Sequence, residues 1–243
     1  MIILGIDTAT AAASAAIVED ARLVAEETTA DFRASSNGAA PHRSNHAETL
    51  LPLIDRLLEA AGLRLTDVSA FAVAIGPGSF TGLRIGLSMV KGLSYGSEAP
   101  VVGIPTLAAV AARVNDGAGF ICPFLDARKK EVYAALFCRR GGRLERVSED
   151  IAAAPEKVVE SVRRLTDGEP CLFIGDAART YAEVVKEGLG EKGRLTLGEK
   201  YRTVASAVAF LAEEKILRRE CDPVGPLVPL YLRPSEAELK RKA

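Results

Sequence analysis

Two short segments carry residue types that are suited to binding a phosphate group. The first is Asp7-Thr8-Ala9-Thr10, which lies between two apolar runs of the β-strand type. A carboxylate such as Asp7 can hold a hydrated magnesium ion. A turn that approaches phosphate through its backbone needs glycine, however, and Ala9 stands at that place. Asp7, Thr8 and Thr10 therefore predict a degenerate nucleotide site, at which ATP binds weakly or not at all and is not turned over.

The second segment is Gly76-Pro77-Gly78-Ser79, at the start of an apolar helical pattern. It resembles an anion-binding nest at a helix N-terminus, although its spacing is not that of a P-loop. We assign Gly76, Gly78 and Ser79 to the same degenerate site. A second strand-ending aspartate, Asp126, is followed by four residues without glycine. The alternative is that Asp7 and Asp126 only organise turns.

The residues that most often bind transition metals are sparse. His42 and His46 are the only histidines, and Pro41 with its polar surroundings argues against one helix that carries both. The cysteines are far apart and form no C-x-x-C pair, which is untypical of zinc ribbons and redox motifs. They are Cys122, Cys138, Cys171 and Cys221. We predict no bound metal and no cofactor, and assign His46 to helix capping or partner contact.

Composition limits the possible functions. The chain has 243 residues, 48% of them hydrophobic, with 31 basic and 32 acidic residues and a formal net charge of −1. Domains that bind nucleic acid alone usually carry a basic surplus, so any contact with RNA is expected to be indirect. The N-terminus lacks the basic region of a signal peptide, and no apolar run reaches the length of a membrane span. A cytoplasmic protein is expected.

The elements that must position these residues follow an order that repeats. Three strands come first, at 2–6, 14–18 and 22–28, and then helices alternate with strands. The helices of the first half are predicted at 46–61, 80–95 and 106–114, and its later strands at 68–75 and 100–104. A similar pattern restarts with strands at 120–125 and 132–138, a Gly141-Gly142 turn, helices at 155–165, 177–188 and 203–218, and strands at 171–174 and 195–197. This predicts two lobes, 1–115 and 116–243, by duplication or by chance similarity of short segments.

The helices 46–61 and 80–95 carry more apolar residues than one face needs, and Gly82, Gly86 and Gly92 interrupt the second. A glycine inside a helix costs about 0.5–1 kcal/mol relative to alanine, a cost that close approach of another backbone can offset. Either both helices are packed inside one domain, or they also cover matching helices of a partner. For the second case the predicted interface consists of His46, Leu50, Leu51, Ile54, Leu57, Leu58, Gly82, Leu83, Ile85, Gly86, Met89, Val90 and Leu93.

Several segments together resemble the TsaB family, also called YeaZ. They are IDTAT at 6–10, NHAETLLPLID at 45–55, GPGSFTGLRIGLSMVKGL at 76–93, VGIPTL at 102–107, LDARKKEVYAALF at 125–137 and PLYLRPSEAE at 229–238. The resemblance implies a duplicated α/β fold of the actin/Hsp70/sugar-kinase (ASKHA) type. It also implies a non-catalytic subunit that pairs with TsaD, the enzyme that transfers threonylcarbamoyl to the tRNA adenosine beside the anticodon. A small ATPase, TsaE, joins that pair.

The resemblance also bears on catalysis. TsaD-like enzymes carry two metal-binding histidines at the positions that match Thr106 and Val110 here. Threonine is a poor ligand for such a metal and valine is none, so we expect no catalytic residues in this chain. The alternatives are an ATPase or small-molecule kinase of the same fold, an inactive metallopeptidase-like relative, and a direct tRNA-binding module. The sequence leaves open whether the free protein is a monomer or a homodimer.

Overall fold

A computed structural model describes residues 1–29, 46–114, 117, 119–196 and 203–233. The chain divides into two compact units. Unit 1 comprises Met1–Ala109 and Thr203–Leu230, and unit 2 comprises Val110–Arg202 and Tyr231–Ala243. His42 lies outside the described residues.

Unit 1 is built on a five-stranded mixed sheet with the order β3-β2-β1-β4-β5. The first three strands form an antiparallel meander, and β4 and β5 are added in parallel to β1. Apolar residues fill the central strands because both faces of the sheet are covered. The strands are β1 (Ile2–Asp7), β2 (Ser14–Glu19), β3 (Arg22–Thr28), β4 (Ala70–Gly76) and β5 (Val101–Pro105).

Helices cover both faces of this sheet. Helices α1 (His46–Ala60) and α2 (Phe80–Ser97) pack on the face that carries Leu4 and Ile6. Helix α7 (Ala205–Leu217) covers the opposite face, where a Cβ on Gly5 would lie 2.4 Å from the Ala205 carbonyl oxygen. Helix α3 (Thr106–Ala112) follows β5 directly. The core of unit 1 therefore uses the apolar residues of α1 and α2 for its own packing.

Unit 2 repeats this strand order. Its elements are β6 (Gly119–Asp126), β7 (Val132–Ala134), β8 (Phe137–Arg140), β9 (Arg143–Arg146), β10 (Ile151–Ala153), α4 (Pro155–Leu165), β11 (Cys171–Ile174), α5 (Asp176–Thr180), α6 (Ala182–Leu189) and β12 (Gly193–Thr196). Its seven-stranded sheet has the main path β10-β7-β6-β11-β12, with β8 paired to β6 and β9 paired to β8. When β7 and β8 count as the second strand and β9 and β10 as the third, the order is again third, second, first, fourth, fifth. Strands β7 and β8 pair with β6 in one register, as a single second strand interrupted at residues 135–136. The shared topology confirms the duplication.

The structure differs from the expected lobes at one boundary. Residues 203–230 belong to unit 1, whereas the sequence pattern placed them in a C-terminal lobe from 116 to 243. The reason is packing at long range, because the small residues of α7 fit against Gly5 on β1. The predicted 177–188 helix is two helices, α5 and α6. Strand β9 is the continuation expected after the Gly141-Gly142 hairpin turn, and β10 was not predicted.

Two further features concern the whole described part of the chain. None of its helices is both long and apolar enough to cross a membrane. The four cysteines are free thiols, three of them buried in unit 2 and Cys221 exposed.

Candidate functional site

The Asp7 turn is closed by the first turn of α2. The amide of Ser79 donates to the Ala9 carbonyl oxygen at 2.8 Å. The hydroxyl of Thr8 donates to the Gly82 carbonyl oxygen at 2.7 Å. Ser79 also caps α2 by accepting from the Gly82 amide. The start of α2 was expected to offer N–H groups to an anion. Its Ser79 N–H instead donates a hydrogen bond to the neighbouring Asp7 turn.

Asp7 is fully buried and directs its carboxylate to its own turn. The Ala9 amide donates to Oδ1 at 2.9 Å, and the Thr10 hydroxyl donates to Oδ2 at 2.5 Å. Burial raises the pKa of Asp7 from 3.8 to about 6, and the hydrogen bonds from Thr10 and Ala9 partly oppose this effect. This arrangement favours a turn-organising role for Asp7 over a magnesium site.

The buried carboxylate gives a testable pH dependence. Because the pKa of Asp7 is higher in the folded than in the unfolded chain, its contribution to stability is greatest below about pH 4 and is lost as the pH rises through about 6. Replacement by the neutral Asp7→Asn should remove this loss. We expect the variant to be more stable than wild type by roughly 1–3 kcal/mol at pH 7.5 and nearly equal at pH 4. Urea unfolding at both pH values measures this difference.

A matched control is Asp55→Asn, on the exposed side of α1. It should change the free energy of unfolding by less than about 0.5 kcal/mol at either pH. If Asp7→Asn is clearly less stable than wild type at pH 7.5, the ionised carboxylate is favourable in the fold, and burial is not the dominant influence on it.

Gly76 and Gly78 serve close packing. A Cβ on Gly78 would lie 2.5 Å from the Ala9 carbonyl oxygen, and one on Gly76 would lie 2.5 Å from the Leu230 carbonyl oxygen. The Gly76 amide donates to the Thr106 hydroxyl at 3.1 Å. That bond was not predicted, since no local pattern relates residues thirty positions apart. The six residues of the predicted nucleotide site thus lie at turns that are closely packed against, or hydrogen-bonded to, neighbouring groups of unit 1.

Asp126 in unit 2 also organises a turn. Its carboxylate accepts from the backbone amide and the guanidinium of Arg128 at 2.7 and 3.0 Å. Its own amide donates to Asp176 at 2.9 Å. Within the described ranges, no three His, Cys, Asp or Glu side chains are grouped so that they could hold a metal ion.

Most of the predicted interface residues lie inside unit 1. Eight of them are buried in the single chain: Leu50, Ile54, Leu57, Leu58, Gly82, Leu83, Gly86 and Val90. A Cβ would lie 1.9 Å from the Thr8 carbonyl oxygen at Gly82, and 2.3 Å from the Thr8 hydroxyl at Gly86. Within the chain, the close approach that these two glycines permit is to β1 and its turn.

A smaller apolar surface remains accessible on the two helices. Leu51 on α1 is 51% exposed and Tyr95 on α2 is 80% exposed. Ile85, Met89 and Leu93 are partly exposed at four-residue intervals on α2, and His46 is partly exposed at the start of α1. We call Leu51, Ile85, Met89, Leu93 and Tyr95 together the helix-pair surface, although at about 100° per residue Tyr95 lies on a different side of α2 from Leu93. Tyr95 was missed because a single tyrosine near a helix end has no distinctive pattern.

The fold and sequence are similar to those of known proteins. A model of the TsaD family, described as tRNA N6-adenosine threonylcarbamoyltransferase, matches residues 22–240. The tRNA threonylcarbamoyladenosine biosynthesis protein TsaB of Bacillus subtilis (strain 168) is 31% identical over 240 residues, which are 99% of this chain and 97% of the relative. The TsaB protein of Escherichia coli (strain K12) is 31% identical over 237 residues, 96% of this chain and 95% of the relative.

Solved structures agree. YeaZ from Pseudomonas aeruginosa is 27% identical with a TM-score of 0.74, over 95% of this chain and 99% of that one. A ROK hexokinase from Thermus thermophilus shares the fold, with a TM-score of 0.51 at 14% identity over 88% of this chain and 100% of that one. The fold is thus the predicted actin/Hsp70/sugar-kinase type. The match to TsaB proteins extends over nearly the whole of each chain, and the chain therefore belongs to the TsaB (YeaZ) family.

Proposed function

We propose that this protein is a non-catalytic, cytoplasmic subunit that pairs with a TsaD-like enzyme, which transfers threonylcarbamoyl to the tRNA adenosine next to the anticodon. The proposal rests on the side chains at the two positions where TsaD-like enzymes are expected to have metal-binding histidines, which are Thr106 and Val110 here. Thr106 and Val110 are both buried, and the Thr106 hydroxyl accepts a hydrogen bond from the Gly76 amide. These side chains support the fold and offer no open coordination position.

The helix-pair surface is the proposed contact with the TsaD-like subunit. It places two strongly exposed apolar side chains, Leu51 and Tyr95, on helices whose inner faces are held by the core. Tyrosine is enriched at interface hot spots because it contributes a large contact area. A contact here would cover apolar surface without disturbing unit 1. A homodimer through the same surface and a third, TsaE-like subunit belong to the proposal on the family resemblance alone.

The main alternative, an ATPase or small-molecule kinase of this fold, has less support. A kinase needs N–H groups and a carboxylate that face the nucleotide. Here the Ser79 amide donates a hydrogen bond to the Ala9 carbonyl oxygen, and both Asp7 carboxylate oxygens accept hydrogen bonds from residues of the Asp7 turn. These contacts favour the turn-organising alternative for the degenerate nucleotide site.

The proposal is tested by reconstituting the transfer reaction with a threonylcarbamoyl-adenylate and an unmodified tRNA. The purified chain alone should produce no modified adenosine and should hold no stoichiometric transition metal. The TsaD-like enzyme should gain activity when this chain is added in equal amount. Transfer by the chain alone, or an enzyme whose rate is the same with and without it, would show that the proposed role is wrong.

A further inference from the structure

The tip of the β8–β9 hairpin places two arginines side by side. Arg140 and Arg143 are directly opposite each other in the antiparallel ladder, on either side of Gly141 and Gly142. Both glycines have positive φ, 55° and 80°, which a two-residue type I′ turn requires. Such a turn is tight, so it fixes the two arginine backbones as neighbours.

The first half of the chain contains the equivalent turn with different charges. Asp20 and Ala21 connect β2 to β3 with φ values of 45° and 59°, and Glu19 and Arg22 are the opposed pair that flanks them. Opposite charges at such a pair favour the hairpin, whereas like charges oppose it. The second copy has Arg140 in the place of the glutamate. It therefore carries a repulsive pair where the first copy has an attractive one.

The positive charge at this tip is left uncompensated by the part of the chain that the structure describes. Arg140 and Arg143 are exposed, and neither makes a hydrogen bond or ion pair there. Glu145 lies two residues beyond Arg143 on the same strand, opposite Cys138, and forms no ion pair. Their neighbours differ: Arg139 donates to the Gly142 carbonyl oxygen at 3.0 Å, and Arg146 pairs with Asp150.

Charge is also divided unevenly between the two units. Unit 1 holds 10 of the 31 basic and 15 of the 32 acidic residues, a formal charge of −5. Unit 2 holds the other 21 basic and 17 acidic residues, a formal charge of +4. The overall charge of −1, from which the sequence predicted only indirect contact with RNA, therefore conceals a basic unit.

We propose that Arg140 and Arg143 form a clamp for backbone phosphates of tRNA. A guanidinium binds phosphate through two parallel N–H···O bonds, and a phosphodiester between the two arginines would relieve their repulsion. Such contacts position an RNA without reading its sequence. The choice of tRNA among polyanions rests on the proposed function. An acidic segment of a partner protein is the competing occupant, and the test separates the two.

The test uses the full-length chain and an unmodified tRNA transcript, with binding measured by filter retention between 50 and 200 mM salt. The variant Arg140→Gln/Arg143→Gln should bind at least about tenfold more weakly, and the slope of log K against log salt should fall by about two. Arg140→Glu recreates the Glu–Arg pair of the first copy. It should lose tRNA affinity while its thermal midpoint stays at or above that of wild type.

The matched control is Arg163→Gln/Arg164→Gln, which removes the same charge from an exposed part of α4 in the same unit. It should stay within about twofold of wild type. The clamp is wrong if wild type shows no saturable binding at 50 mM salt, if the hairpin variants bind like wild type, or if the control loses as much affinity.

Pairing with the TsaD-like subunit is measured on the same variants without RNA. The hairpin variants should pair like wild type. If they lose pairing and keep tRNA affinity, the occupant of the tip is a protein and the clamp is wrong. If wild type fails to pair but the hairpin variants lose tRNA affinity, the clamp stands and the proposed function does not.

Discussion

Gly82→Ala is expected to destabilise unit 1 severely, by roughly 3 kcal/mol or more. The added Cβ would lie 1.9 Å from the carbonyl oxygen of Thr8, which is backbone and cannot rotate away. Relief requires α2 to move off the Asp7 turn, and this would break the Thr8–Gly82 hydrogen bond. The thermal midpoint should fall by about 6–12 °C or more. Differential scanning calorimetry of the purified variants measures the change.

Gly92→Ala is the matched control in the same helix. Nothing lies within 4 Å of a Cβ at that position, so the substitution should be neutral or stabilise α2 by up to about 1 kcal/mol. Equal midpoints for wild type and Gly82→Ala would mean that α2 and the Asp7 turn are not packed together as described. Gly86→Leu is a second variant of this kind, because its side chain would meet the Thr8 hydroxyl. We expect it to lower the stability of unit 1 and not to act on partner association directly.

Leu51→Asp and Tyr95→Asp together are expected to weaken binding to the TsaD-like subunit by about a hundredfold, or about 3 kcal/mol. Both side chains are largely exposed in the single chain, so the fold should tolerate the charges. In a complex that covers the helix-pair surface, each carboxylate would be buried without a partner. Isothermal titration calorimetry of the single and double variants measures the loss.

Leu217→Asp provides the comparison for this surface. Leu217 is 75% exposed at the end of α7, the helix that covers the opposite face of the sheet from α1 and α2. The charge there should leave the affinity within about twofold of wild type. If the double variant binds as tightly as wild type, or if Leu217→Asp weakens binding as much, the helix-pair surface is not the contact.

Local patterns predicted the elements more successfully than their partners. The helix predicted at 155–165 is α4, because a proline at the first helical position and a regular apolar spacing mark it. The repeat of strands was visible in matching short segments and is confirmed by the shared strand order. The membership of α7 in unit 1 was not predictable, since it depends on contacts across some two hundred residues of chain.

For the candidate site, too, the sequence predicted local features but not the contacts they make. The sequence identified Gly82 and Gly86 as positions of close approach, but it could not show which backbone approaches them. The structure identifies Thr8. An excess of apolar residues on α1 and α2 suggested a partner, yet most of these residues are buried in the core of unit 1. Net charge is limited in a similar way, because a sum over the chain contains no information about where the charges lie.

Sedimentation velocity of the two purified proteins measures whether this chain pairs with a TsaD-like enzyme. Mixed at equal concentrations in the micromolar range, they should sediment as one faster complex with a single copy of each chain or a multiple of that ratio. The Leu51→Asp/Tyr95→Asp variant should leave two separate boundaries. If the wild-type proteins sediment independently at these concentrations, this chain is not a subunit that acts by binding such an enzyme.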